Sequence, residues 1–346
     1  MAVAVLDAAR ERLIRALPKV ELHVHIEGTL EPEMVFALAG KHGVTLPFAS
    51  VAALRAAYDF HDLQSFLDLY YAGCDVLRDE RDFYMMATAY FARAHADGVV
   101  HAELFFDPQS HTVRGVPMAT VFAGLRAAMD DAAKRYGITS ELILCFLRHL
   151  PEADAHATLD AALPFRADFV GVGLDSGERG NPPAKFASVF ARAKDLGLRL
   201  VAHAGEEGPA ANVRDALDLL HVDRIDHGVR ADEDPALIAR LVREQVPLTV
   251  CPLSNTRLKV FADMAQHNLA TMLRAGVVVT VNSDDPAYFG GYLADNYRAV
   301  ALALELTPAE LTRLAENAVR ASFMAASSKA ALLGQIRAAA ARAARV

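Results

Sequence analysis

The sequence predicts an α/β fold, a (β/α)8 TIM barrel with a helical cap inserted after the first strand and extra helices at the C-terminal end. Three observations point there: eight short β-rich apolar runs, amphipathic helical stretches between them, and a wholly helical pattern after Pro286. The runs are Val20 to Ile26, Val99 to Phe106, Ile138 to Leu147, Phe169 to Leu174, Leu198 to Ala204, Arg224 to Gly228, Leu248 to Cys251 and Val277 to Asn282. Near-continuous apolar runs of this length read as parallel strands covered on both faces. Between them, stretches such as Ala184 to Leu196 and Pro235 to Glu244 carry apolar residues at three- and four-residue steps and end in Gly or Pro, as crossover helices do. The longest interruption, about Pro32 to Asp97, holds more helix than one crossover needs. It is read as a cap over one barrel end, with Tyr58, Phe60, Phe66, Tyr70 and Tyr71 either walling a pocket or packing between cap helices. A doubly wound open sheet gives much the same alternation and stays open at this point. The whole chain, 1–346, is read as a single domain.

With 53% hydrophobic and 23% charged residues, the composition is that of a soluble globular enzyme. A net charge of -8 argues against nucleic acid or an anionic membrane as partner, because phosphate binding leans on clustered Lys and Arg. The Arg337 to Arg345 stretch is the local exception and reads as a solvated last helix. Cys74, Cys145 and Cys251 are odd in number and form no C-x-x-C pair, so neither a disulfide framework nor a thiolate zinc site is indicated, and a reducing cytoplasm fits. Residues 1 to 17 open apolar but carry Asp7, Arg10, Glu11, Arg12 and Arg15 at helical spacing, an amphipathic helix and not a signal peptide. No uncharged apolar run reaches membrane-spanning length.

The chemistry lies where ionisable residues meet the predicted strands. His23 and His25 are two apart in the first run, so their side chains share a face. His203 ends the fifth, and Asp284 and Asp285 directly follow the eighth. In a barrel the C-terminal strand ends meet at one face, so three imidazoles and a carboxylate, His23, His25, His203 and Asp284, form a candidate open metal site. Each element also has a bland reading: His-x-His occurs by chance, and Asp-Asp-Pro after a strand is commonly a turn or helix N-cap. Glu206, three residues past His203, is a candidate proton donor or a helix-start carboxylate. His227 is a candidate to orient or deprotonate a water, or a turn histidine.

Read together, Val20-Glu21-Leu22-His23-Val24-His25-Ile26-Glu27-Gly28-Thr29-Leu30, His203-Ala204-Gly205-Glu206, Asp226-His227-Gly228, Cys251-Pro252-Leu253-Ser254-Asn255 and Ser283-Asp284-Asp285-Pro286 resemble the adenosine/adenine deaminase family. The match in order and spacing runs from roughly Leu17 to Phe323. The resemblance implies a zinc barrel that replaces the 6-amino group of a purine with oxygen and releases ammonia. It implies His23, His25, His203 and Asp284 as ligands of one zinc ion per chain, Glu206 as proton donor to ring N1, His227 as the water-orienting base, and Asp285 as a substrate contact. Zinc lowers the pKa of a water toward about 7, so an attacking hydroxide is available at neutral pH. The other zinc deaminase chemistry needs an H-x-E with a P-C-x-x-C, which is absent here.

Three departures resemble the adenine deaminase branch, which takes the free base. Glu27 stands where adenosine-specific members carry Asp, and its extra methylene is expected to intrude where a sugar sits. The loop Gly173-Leu174-Asp175-Ser176-Gly177-Glu178-Arg179-Gly180-Asn181-Pro182-Pro183 is compact, with Gly173 and Gly177 both open as backbone contacts to the purine, and Ser254-Asn255-Thr256 replaces a T-G segment. The expected reaction is deamination of adenine to hypoxanthine in cytoplasmic purine salvage, with a small purine base as the partner and homo-oligomerisation left open. The nearest alternatives are adenosine or a 6-N-substituted adenine as substrate. More remote are a metal-dependent phosphoesterase, for which His101, Glu103 and His149 are thin extra ligands, and a purine binder without catalysis.

Overall fold

A computed structural model describes residues 5–345, so the apolar opening at residues 1–4 lies outside the described residues. The eight expected strands are present as β1 (Lys19–His25), β2 (Val99–Phe106), β3 (Thr139–Leu147), β4 (Gly171–Asp175), β5 (Arg199–Ala204), β6 (Arg224–His227), β7 (Pro247–Val250) and β8 (Val278–Val281). They pair in parallel and in chain order from β1 to β8. The ring closes just past β8, where Val24 and Asp284 form a parallel bridge. His25 N–H donates to the Asp284 carbonyl and Asp284 N–H to the His23 carbonyl, each at 3.0 Å. A doubly wound sheet has two free edges and a reversal of strand order, so this closure decides for the nearly closed barrel.

Between β1 and β2 lie the helices Pro32–His42, Val51–Ala56, Leu63–Cys74 and Glu80–Ala96. Leu63–Cys74 and Glu80–Ala96 both start on capping boxes, Asp62 with Ser65 and Asp79 with Asp82. Buried Asp82 also accepts from Lys41 and His42, each at 2.7 Å, and so ties the first of these helices to the last. Glu80–Ala96 packs on the helix Met118–Tyr136, where Gly124 lies so close to the Glu80 carbonyl that a methyl group would not fit. It is therefore the ordinary crossover into β2, and the helices ahead of it form the extra structure.

After β8 the chain is helical to the end of the described residues. The helix Pro308–Ala321 packs across β8 and β1 and covers the seam of the ring. Asn317 donates from its side chain to the Val279 carbonyl at 2.9 Å. The last helix, Ala326–Ala343, buries Leu332, Ile336 and Ala339, and its Arg337 pairs with Glu316 at 2.8 Å, as a packed helix with a solvated face does. Among the described residues no helix is long and apolar enough to cross a membrane.

The seam helix starts on Thr307, whose hydroxyl accepts from Glu310 N–H, while Glu310 accepts from Thr307 N–H at 2.8 Å and from Arg274 at 2.6 Å. The Arg274 hydrogen bond, ahead of the cap, holds the Glu310 carboxyl down from 4.5 to about 2. Such a group stabilises the fold fully above its unfolded pKa and ceases to do so as pH falls through its folded one. Thr307→Ala is expected to lose about 1 kcal/mol in urea unfolding. For Glu310→Gln, the deficit against wild type should be full above about pH 4.5 and shrink as pH falls toward about 2.

Candidate active site

The C-terminal strand ends bring the expected residues to one place. His23 and His25 come from β1, His203 from β5, His227 from β6, and Asp284 and Asp285 directly follow β8. His23 Nε2 lies 3.2 Å and His25 Nε2 3.5 Å from Asp284 Oδ1, and the Nε2 atoms of His25 and His203 are 3.2 Å apart. Asp284 and His227 both hold a left-handed backbone, with φ of 64° and 61°, which side chains other than glycine adopt at a cost. For Asp284 the cause is visible: both its backbone groups are spent on β1, and that fixes the direction of the carboxylate.

One ligand atom from each of His23, His25, His203 and Asp284 lies within 4.8 Å of all the others, and all four residues are buried. Two ring tautomers follow from their neighbours. The Thr249 hydroxyl donates to Asp226 at 2.8 Å, so it accepts from His23 Nδ1 at 2.9 Å. His203 Nδ1 donates to the Leu174 carbonyl at 3.1 Å. In both rings the Nε2 lone pair is thereby turned inward, and His23 Nε2 is buried with no hydrogen-bond partner. Burial, and then the neighbouring imidazoles, hold His203 well below the usual imidazole range. Burial alone would raise Asp284, but His23 and His227 hold it well below the carboxylate range. Three imidazoles and a carboxylate make a donor set that fits a zinc-sized divalent cation. Cys251 lies near this set, but burial pushes its thiol well up, which makes it the poorer donor.

Glu206 and His227 stand beside the set, with His227 Nε2 3.6 Å from both Glu206 Oε1 and Asp284 Oδ2. Burial first, and then the charge of Asp284, push both Glu206 and Asp285 well above the carboxylate range, which favours their protonated forms. Asp285 makes no N-cap bond, and its Oδ1 is buried without a partner. It packs on Gly28, where any side chain would collide with it. Burial lowers His227 to about 3 despite Asp284, so the ring is neutral. Its tautomer follows from a relay. Leu269 N–H donates to His267 Nδ1 at 3.1 Å, His267 Nε2 donates to Asn255 Oδ1 at 3.2 Å, and Asn255 Nδ2 donates to His227 Nδ1 at 3.2 Å. His227 therefore carries its hydrogen on Nε2 and faces the site as a donor.

The pocket over these groups is lined by Leu63, Phe66, Leu67, Tyr70 and Tyr71 from the inserted helices, by Leu258 and Phe289, and by Asp107, Asp175 and Ser176. Tyr58 and Phe60 are not among its walls and pack instead with Phe66, Tyr288 and Phe289. The steric role expected of Glu27 is likewise not what is built. Glu27 is buried behind the pocket, where its carboxylate accepts from His111 Nε2 at 2.8 Å and from Asp107 N–H at 3.1 Å. Of the two open glycines, Gly173 is packed inside β4 against Cys145, and Gly177 faces an adjoining outer cleft. Asp175 and Ser176 are what this loop presents to the pocket.

Sequence reasoning missed Glu178. Its buried carboxylate accepts from the N–H groups of Gly205, Glu206, Glu207 and Gly208 at 2.7 to 3.2 Å and from Asn212 Nδ2 at 2.7 Å. Buried Arg148 completes the grip by donating to the His203 carbonyl at 2.7 Å. The loop that carries His203 and Glu206 is thus held by side chains from two neighbouring strand ends. Such a match between one carboxylate and a run of amides leaves no pattern along the chain.

The sequence model of the adenosine deaminase family matches residues 18–339. The chain belongs to that family. Among family members, it is 62% identical over 331 residues to a protein named adenine deaminase from Cupriavidus necator, covering 96% of this chain and 94% of that one. The crystal structure of an adenine deaminase from Arthrobacter aurescens superposes with a TM-score of 0.92 at 51% identity, over 93% of this chain and 98% of that one. An amidohydrolase from Burkhoderia ambifaria with bound zinc superposes with a TM-score of 0.90 at 30% identity, over 99% and 96%.

Glu178→Gln turns amide hydrogens toward the loop N–H groups it should accept from. Displacement of a reacting group by about 1 Å costs on the order of a hundredfold in rate. The variant is expected to lose about that much in kcat, with KM and metal content little changed, as steady-state kinetics and metal analysis of the same preparation will read.

Proposed function

We propose that this protein hydrolyses adenine to hypoxanthine and ammonia, with one zinc ion held by His23, His25, His203 and Asp284. The observation that carries the reading is that buried Glu206 and buried His227 stand 3.6 Å apart beside that ligand set. The high identity to proteins named adenine deaminase supports the choice of substrate. A bound zinc ion supplies Lewis acidity and lowers the pKa of water enough for attack at neutral pH.

The residues of the chain do the rest. Attack at purine C6 breaks ring aromaticity unless N1 gains a proton as the carbon turns tetrahedral. Glu206 holds that proton at Oε and delivers it to N1. His227 donates from Nε2 to the attacking oxygen and fixes its line of approach. Protonated Asp285 donates to ring N7, an acceptor in adenine, and so fixes the ring in its plane. Phe66, Leu67, Tyr70 and Tyr71 wall the pocket and limit the water that reaches it, which strengthens each of these interactions. The attacking water returns one proton to Glu206 as its oxygen bonds to C6. As the tetrahedral carbon collapses, the C6–N bond breaks and the hydroxyl proton passes to the amino group, which leaves as ammonia while N1 keeps the proton it received. A place in purine salvage follows from the reaction, and three free, buried cysteines support a reducing cytoplasmic setting.

Ammonia release from adenine and adenosine at equal concentration tests the substrate, with adenine expected to be turned over faster by kcat/KM. Faster turnover of adenosine would sink the assignment. Metal analysis of purified protein should find about one zinc per chain, lost together with activity in His25→Ala. Glu206→Gln should keep the zinc and lose about 10²–10⁴-fold in kcat, and a fully active variant would remove Glu206 from the proton transfer.

A further inference from the structure

Two buried acids in the pocket have no task in the reaction above. Asp107 directly follows β2 and Asp175 ends β4, each is 2% exposed, and both line the pocket. Of their four carboxyl oxygens, Asp107 Oδ2 accepts from the Tyr70 hydroxyl at 3.1 Å, while Asp107 Oδ1 and both oxygens of Asp175 are buried without a hydrogen-bond partner. Asp175 Oδ2 stands 3.6 Å from His25 Nδ1, so one arm of the pair turns toward that imidazole. Buried acceptors are otherwise satisfied in folded proteins, and leaving one unpaired costs about 1–3 kcal/mol, more when it is charged. Even with one proton shared between the two carboxyls, the pair keeps acceptor capacity for a donor brought from outside.

The strand order says which edge of a substrate meets them. In a ring that runs from β1 to β8, β2 stands across from β6 and β4 across from β8. Asp107 therefore faces the side that carries His227, and Asp175 the side that carries Asp284 and Asp285. A purine with C6 beside His227 and Asp284, N1 at Glu206 and N7 at Asp285 turns its N3 and N9 edge toward β2 and β4. On that edge a free base carries an N–H, at N9 or in its N3 tautomer. A nucleoside has carbon at N9 and no donor there.

We infer that Asp107 and Asp175 form an acceptor subsite for the N–H on the N3/N9 edge of a free purine base, selecting base over nucleoside by a hydrogen bond. The inference rests on the adenine reading above. It also gives Glu27 a purpose. Arg114 donates to His111 Nδ1 at 2.9 Å, His111 Nε2 donates to Glu27, and Glu27 accepts the N–H of Asp107, so the chain braces the residue that reaches the base. The selectivity expected of Glu27 by bulk passes to Asp107 by chemistry.

The test compares adenine with its 9-oxa analogue, in which a ring oxygen replaces N9–H with almost no change of shape, on the zinc-loaded full chain. A site built to bond a substrate N–H rejects an isostere lacking it by on the order of 10³-fold or more. Wild type is expected to discriminate by that factor in kcat/KM. Asp107→Ser should reduce the ratio to within about tenfold, chiefly by raising KM for adenine, with zinc content unchanged. Equal use of both compounds by wild type overturns the inference and needs no variant to be read. So does discrimination that survives in a folded Asp107→Ser. Two metals per chain, with one lost in Asp107→Ser, would likewise overturn it, because the pair would then be ligands. Absence of adenine turnover in wild type would instead strike the proposed function itself.

Discussion

The ring closes through the residue that its site most needs. Asp284 spends its N–H and its carbonyl on β1, and that bridge joins the first strand to the end of the last. The same two hydrogen bonds set its carboxylate against His23 and His25, 3.2 and 3.5 Å away. Residues separated by most of the chain therefore meet because the backbone closes there. The strained φ of Asp284 is local, whereas the closure is shared by the whole barrel, and the larger effect holds the smaller in place.

Beneath the ligands, the barrel interior is polar along its axis. His23 leans on Thr249, Thr249 donates to Asp226, and the Arg224 guanidinium lies 3.9 Å below Asp226. Arg224 in turn pairs with Glu103 at 2.6 Å, donates to the Leu22 carbonyl and lies over the Phe323 ring. Burial would raise Glu103, but Arg224 keeps it below the usual carboxylate range, so this pair is ionised inside the protein. A buried pair of this kind contributes little net stability. What it supplies is a fixed floor for the imidazole above it. His101 and Glu103, considered above as thin extra ligands, belong to this floor, with His101 Nε2 3.4 Å from Glu103 Oε1.

Much of this was legible in one dimension. A buried strand must be apolar, so histidines at the fourth and sixth positions of the run Val20 to Ile26 stood out, as did Asp284 and His203 at strand ends. Motif order did the same for Glu206, His227 and Asp285. What stayed hidden depends on which residues face each other across the ring. Glu178 looks like a surface acid in a polar loop, and Asp107 like the start of a helix, until β2, β4 and β5 are side by side. Glu27 shows the limit most clearly. Its extra methylene is visible in the sequence, but its direction depends on His111, 84 residues away, and no local rule carries that distance. The aromatic run divided for the same reason: Phe66, Tyr70 and Tyr71 reach the pocket, while Tyr58 and Phe60 are turned into the packing beside it.

β4 and β5 pair only at Gly171 with Arg199 and Val172 with Leu200, so their ladder ends well short of the pocket. Above that point the gap is spanned by side chains, with Arg148 and Glu178 binding the loop after β5. Barrel architecture and mouth shape are thus held by different bonds. A lineage that keeps Glu178 in place can lengthen or redraw the rest of the loop after β4, and with it the shape admitted to the pocket, without unzipping a strand. Substrate range is free to drift here while the scaffold stays fixed.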